Sequence, residues 1–259
     1  MSVNTPTSIP LLELENVQMR YGPVYALKGA SFHINPGEIV GLVGDNGAGK
    51  STLVRIMSGA QQPTAGVLKF EGHQTSIVSP LEARKLGIET VYQDLAILPQ
   101  MDVETNLYLG REINRKSWWN SWLLDKPQMR AEARRHIGSL KVNIGSVRQQ
   151  VGLLSGGQRQ SIAVARAISW GHRLVIMDEP TAALGVRESS GVLDLIRRVR
   201  DRGIAIVLVS HNMPHVFELT DRIVVVRHGR IAGNLTTRDT SMNTVVSLIT
   251  GATAPDAAS

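Results

Sequence analysis

The chain of 259 residues has no cysteine. No disulfide framework can staple it, so the fold rests on a buried apolar core, which a chain of this length can build. It also has no run of 18 or more apolar residues, because the 42% hydrophobic fraction is broken into short stretches. Such stretches do not span a bilayer. The first ten residues, MSVNTPTSIP, lack the basic flank and apolar segment of a secretory signal. These absences together point to a soluble protein of the cytoplasm. Positive charge is in excess, at net +6, but it is dispersed. The densest basic stretches, RAEARRHIG and LIRRVRDRG, mix in acids and apolar residues at helical spacing, as solvated helix faces do. Charge therefore gives no reason to expect a nucleic-acid partner.

What the sequence does have is alternation. Short apolar runs take turns with helical patterns, the sign of an α/β domain with a largely parallel sheet. EIVGLVG (38–44), HRLVIMDE (172–179) and GIAIVLVSH (203–211) read as buried strands ending in polar residues. Open α/β sheets place their sites at such strand ends. LLELENVQMRYG (11–22) and LKGASFHINPG (27–37) read as antiparallel ribbon, with turns at Gly22-Pro23 and Pro36-Gly37. From about Gln93 to Ser169 the pattern is mostly helical, clearest in KPQMRAEARRHIGSL. That stretch reads as an insertion in the α/β core. No internal repeat is visible, so one nucleotide-binding unit is expected, with flexible termini at 1–10 and 252–259.

GDNGAGKST fits G-x-x-x-x-G-K-[ST] between a strand and a helix. The candidate phosphate cradle is Gly44, Asp45, Asn46, Gly47, Ala48, Gly49, Lys50, Ser51 and Thr52. The glycines let the backbone curl so that its N–H groups and the helix N-terminus face phosphate oxygens. Lys50 reaches the β/γ oxygens and Ser51 a Mg²⁺. LVIMDE delivers Asp178 to the metal, normally through water, and Glu179 to the side of the γ-phosphate, where a carboxylate can polarise an attacking water. His211 closes the strand IVLVSH at a position equivalent to Asp178, which points it at the γ-phosphate or the water; a structural histidine is the alternative. Gln93, in VYQDL, ends a strand and opens the helical stretch. Its amide suits the metal or the water, and a surface glutamine is the other reading. LLSGGQRQ (153–160) holds no acid, histidine or nucleophile, yet Ser155, Gly156, Gly157 and Gln158 look built to hold a second anion.

In this order and at these separations, the motifs resemble the nucleotide-binding subunit of ABC transporters, from about Leu11 to Gly251. The resemblance implies a P-loop NTPase (RecA-like) core with an antiparallel β subdomain and a helical insertion at about 93–169, together forming an ATP-binding domain over 11–251 that uses ATP and Mg²⁺. It further implies a homodimer docked head to tail, in which each signature loop, LSGGQ, covers the γ-phosphate of ATP held by the other chain. Tyr21 matches the family's adenine-stacking aromatic, with a ribbon core residue as the other reading.

GIETVYQDLAILPQMDVETNLYLGREI, DEPTAALGVRES and SHNMPHVFELTDRIVVVRHGR are similar to the ATPases of bacterial monosaccharide importers of the ribose, xylose and fructose type, in their single-cassette form. The implied partners are a membrane permease and, indirectly, a periplasmic sugar-binding protein, which places the chain peripherally on the cytoplasmic side of the inner membrane. The competing readings are a soluble ABC ATPase of DNA repair or translation, and an ABC exporter ATPase. Gly185 departs from the Asp that most cassettes carry after DEPTAAL, which leaves open any coupling through that carboxylate. Trp118, Trp119 and Trp122 in KSWWNSWLLDK admit two readings: contact with the permease or the lipid interface, or packing of the insertion's own loop.

Overall fold

A computed structural model describes residues 9–115 and 122–252. The N-terminal half opens with a four-stranded antiparallel sheet built from β1 (Leu12–Tyr21), β2 (Val24–Ile34), β4 (Ala65–Phe70) and β5 (His73–Gln74), in the order β2-β1-β4-β5. Leu12 and Leu14 face its core, and the alternation then slips by one residue so that Val17 and Met19 face the same way. Asn16, at φ 48°, takes up the slip as a bulge, a conformation that asparagine tolerates better than most residues.

Six strands form the second sheet: β3 (Ile39–Gly44), β6 (Ile88–Val91), β7 (Leu174–Asp178), β8 (Ala205–Val209), β9 (Arg222–Arg227) and β10 (Arg230–Thr236). Their order is β10-β9-β3-β8-β7-β6, and every pairing is parallel except β10 with β9. The central strands are buried on both faces, which accounts for their unbroken apolar runs. Around them lie α1 (Lys50–Met57), α2 (Pro80–Lys85), α6 (Val186–Arg200), α7 (Met213–Leu219) and α8 (Met242–Thr250).

Between β6 and β7 the chain forms α3 (Val103–Tyr108), α4 (Lys126–Ser139), a 3-10 turn at Val151–Leu153 and α5 (Gly156–Trp170). Buried Asn106 fastens the irregular segment that leads into these helices: its Oδ1 accepts from Leu98 N at 2.7 Å, and its Nδ2 donates to Leu98 O and Asp102 O at 3.0 Å. Trp122 is 75% exposed, so it does not pack onto the helices. Trp118 and Trp119 lie outside the described residues, as do most of the two termini expected to be flexible.

Two strands stop earlier than their sequence pattern predicts. The β7/β8 ladder ends at the pair Asp178 and Val209, so His211 sits two residues beyond β8 and is not its last residue. Side chains take over there, with Ser210 Oγ accepting from Asn212 N and Asn212 capping α7. Likewise β6 ends at Val91, and Gln93 lies in the loop two residues past it.

Arg222 joins the two sheets. Its Nε donates to Glu38 Oε1 at 2.7 Å, Nη1 to Asn234 Oδ1 at 2.8 Å, and Nη2 to Glu38 Oε2 and to His33 O at the end of the antiparallel sheet. Both partners of the ion pair are largely buried. Removing one partner strands the other, so Arg222→Met should lower the unfolding free energy by about 2–4 kcal/mol, read from urea denaturation. A loss below about 0.5 kcal/mol would place the union of the sheets elsewhere.

Candidate functional site

The loop between β3 and α1 curls back over its own strand. A side chain at Gly44 (φ 153°) would run into Val226 O of the neighbouring strand, so only glycine fits. Lys50 Nζ donates to Gly44 O at 2.8 Å and Asp45 O at 2.9 Å, using two of its three donors to brace the curl. Asp45, Asn46, Gly47 and Ser51 are exposed, Gly44, Gly49, Lys50 and Thr52 half-buried, and Ala48 buried.

Six helix N-termini are closed by a cap side chain: Ser79 on α2, Asp102 on α3, Asp125 on α4, Ser155 on α5, Asn212 on α7 and Ser241 on α8; α6 starts on Gly185 but carries Glu188 in its first turn. For α1 the cap is Gly49, with no side-chain hydrogen bond and no acid in the first turn. Its first N–H groups and its positive dipole end are left for an anion.

Across the sheet, β7 brings Asp178 and Glu179, and β8 brings Ser210 and His211, to the same end. Glu179 adopts φ 51°, uncommon for a residue with a Cβ, and its N–H donates to Val209 O at 2.9 Å. Its carboxylate accepts from His211 Nδ1 at 2.8 Å and from Ser210 Oγ at 3.4 Å. Because the carboxylate can only accept, a neutral His211 carries its proton on Nδ1 and leaves Nε2 as an acceptor. Glu179 is mostly enclosed whereas His211 is 76% exposed. Burial, with Glu179 beside it, pushes Asp178 above the ordinary aspartate pKa, and the Lys50 ammonium pulls the other way. Asp178 and Gln93 line one cleft of about 660 Å³ with Tyr92 and Gln61. The half-exposed Tyr21 reaches Gln61 through its hydroxyl, on the same side of the molecule.

The structure therefore brings together the phosphate loop, Asp178, Glu179, His211 and Gln93. It does not bring Ser155, Gly156, Gly157 and Gln158 to them. These four form the first turn of α5, where Ser155 Oγ accepts from Gln158 N, Gln158 Oε1 accepts from Ser155 N, and Gln158 Nε2 donates to Asn143 O. Among the described residues, no hydrogen bond joins this turn to the phosphate loop. Three nearby residues escaped the sequence reading: Ser210 beneath Glu179, His215, whose Nδ1 lies 3.1 Å from Thr181 Oγ1, and Glu188 against the α5 turn. The four-residue spacing of His211 and His215 was the available hint for the second of these.

The ABC transporter family pattern matches residues 27–182, more than half of the chain. The chain belongs to the ABC transporter family. This cassette is 48% identical over 249 residues to a fructose import ATP-binding protein of Rhizobium meliloti, covering 95% of this chain and 96% of the relative. To a xylose/arabinose import ATP-binding protein of Sulfolobus acidocaldarius it is 42% identical, covering 93% and 94%. It spans 47% of the length of a ribose import ATP-binding protein of Escherichia coli O157:H7, at 36% identity. Among solved structures, an ATP-binding cassette of an ABC transporter in its ADP conformation superposes with a TM-score of 0.81 at 25% identity, covering 93% of this chain and 99% of that one. The expected α/β cassette fold is thereby met.

Asp178 supplies a stability test. A carboxyl whose folded-state pKa lies above its unfolded value costs stability once it ionises, and the cost vanishes below the unfolded pKa of about 4. Asp178→Asn should therefore unfold at higher denaturant than wild type at pH 7, with the gap closing towards pH 4. Equal midpoints at pH 7 would mean that burial of this acid carries no cost.

Proposed function

We propose that this cassette is the ATP-hydrolysing subunit of an ABC importer, coupling ATP binding and hydrolysis to uptake of a monosaccharide through a partner membrane permease. The observation that carries the reading is the match, over nearly the full length of both chains, to sugar import ATP-binding proteins. No described helix is long and apolar enough to cross a membrane, which fits a subunit that works peripherally on the cytoplasmic side of the inner membrane against a separate permease. A periplasmic sugar-binding protein feeds that permease and acts on this chain only indirectly.

In this reading the loop from Gly44 to Gly49, Lys50 and the open end of α1 hold the ATP phosphates, and Tyr21 stacks on adenine. Ser51, Asp178 and Gln93 offer a hydroxyl, a carboxylate and an amide, the hard oxygen donors that Mg²⁺ takes, and the half-buried Asp178 beside Glu179 is short of compensating positive charge. A Mg²⁺ held by these three residues would supply positive charge against the phosphate oxygens. Glu179 orients and polarises the attacking water. His211, held by Glu179 through Nδ1, presents Nε2 and positions that water against the γ-phosphate. The signature turn at Ser155, Gly156, Gly157 and Gln158 serves the γ-phosphate of a second copy, which makes the working unit a homodimer with two composite sites. Support for this comes from the distance in topology between that turn and the phosphate loop of its own chain, and from its donors at a helix N-terminus.

Glu179→Gln keeps the shape and loses the carboxylate. It should bind ATP and slow turnover by about 10²–10⁴-fold. Near-normal steady-state release of phosphate from this variant would remove Glu179 from the role.

The coupling itself is tested with the permease. Purified cassette should hydrolyse ATP slowly, and faster when reconstituted with its permease and sugar-loaded binding protein. Stimulation by DNA or RNA with none from the permease would transfer the protein to the repair or translation class.

A further inference from the structure

Glu188, on the first turn of α6, lies directly against the signature turn. A Cβ on Gly157 would sit 2.7 Å from Glu188 Cβ and 3.1 Å from its Cγ, and a Cβ on Gly156 3.9 Å from Glu188 Oε2. Gly157 thus makes room for this side chain, and Gly156 lies within ordinary contact of its carboxylate. Glu188 Oε2 also accepts from Gly185 N at 3.4 Å. The Ser155 hydroxyl, the Gly157 N–H and the Gly185 N–H all favour the ionised carboxylate and hold its pKa below the usual glutamate value. Ser155, Gly157 and Glu188 line one cleft of about 510 Å³, which Lys141, Arg187 and Arg198 also border.

The hydroxyl of Ser155 and the N–H of Gly157 belong to the turn assigned above to the γ-phosphate of a second chain. Each has one proton to give, and two anions crowded on the same donors repel. We propose that Glu188 is a stand-in, within its own chain, for the partner's γ-phosphate, occupying the signature donors until nucleotide held by the second chain displaces it. The proposal rests on the reading that sites are shared between chains. Displacement does not orphan the carboxylate, because Gly185 N remains as its partner and the side chain can swing back onto the N-terminus of its own helix.

The test uses chains that carry Glu179→Gln so that bound ATP persists. Chains with Lys50→Ala and chains with Ser155→Arg, differently tagged, are mixed, and mixed dimers are isolated. Each then has one intact composite site, with its phosphate loop from the Ser155→Arg chain and its signature turn from the Lys50→Ala chain. Trapping of one ATP per mixed dimer is expected; none would sink the shared-site reading and the proposal with it. Glu188→Gln is then added to one chain at a time. In the chain that lends the signature turn, it should lower the ATP concentration for half-maximal trapping by about three- to tenfold. In the chain that lends the phosphate loop, it should change nothing. Glu188→Ala should shift trapping in the same direction if its thermal melt matches wild type. Unchanged or weaker trapping from Glu188→Gln in the signature-lending chain, or an equal shift from both placements, overturns the role of Glu188 while leaving the shared site standing.

Discussion

A single backbone hydrogen bond, from Glu179 N to Val209 O, extends the ladder between β7 and β8 by one rung beyond its last paired residues. It holds Glu179 in a left-handed conformation at the point where both strands run out. With the backbone fixed there, the carboxylate meets Ser210 and His211, the two residues that follow Val209. The strand next to β8 on its other side is β3, which ends in the curled loop before Lys50. Parallel pairing thus delivers the acid, the imidazole and the phosphate loop to one edge, and the rung decides how the acid faces them.

That edge is kept electrostatically unfinished. Most helices close their N-termini with their own side chains, whereas α1 begins on a bare glycine. Beside it a half-buried aspartate and a half-buried glutamate adjoin each other, with Lys50 as the cation that acts on Asp178. Sites that bind and transform charged ligands gain from such imbalance and lose some stability by it. The α5 turn is finished, by contrast, with Glu188 supplying negative charge at the N-terminus of the helix.

Much of this was legible in the sequence because the relevant signals are local. The glycine spacing of 44–49, the apolar runs that deliver Asp178 and Glu179, and the ribbon turns all sit within windows of about ten residues. Strand ends were read less well. Apolar character runs up to the polar pair at Ser210 and His211, and nothing in it says that the ladder stops at Val209. The slip of alternation at Asn16 was equally hidden, because a bulge takes one residue and leaves the apolar count unchanged. Glu188 was missed for a different reason. Its capping spacing from Gly185 is local, but its contact with Gly157 joins positions 31 apart, and a glycine leaves no side-chain pattern to mark the meeting.

The helices between β6 and β7 are attached to the sheet at its edge. Both strands lie side by side, with β6 outermost, so the segment leaves and returns through neighbouring attachment points. Those two points act like adjacent stitches on the hem of a cloth. The hydrogen-bonded weave of the cloth does not run through the sewn-on piece, since the inner pairings of β9, β3, β8 and β7 are formed without it, although α5 packs into the core that lies against them. This topology lets the outlying helices diverge while the strands that carry the phosphate loop and Asp178 stay fixed.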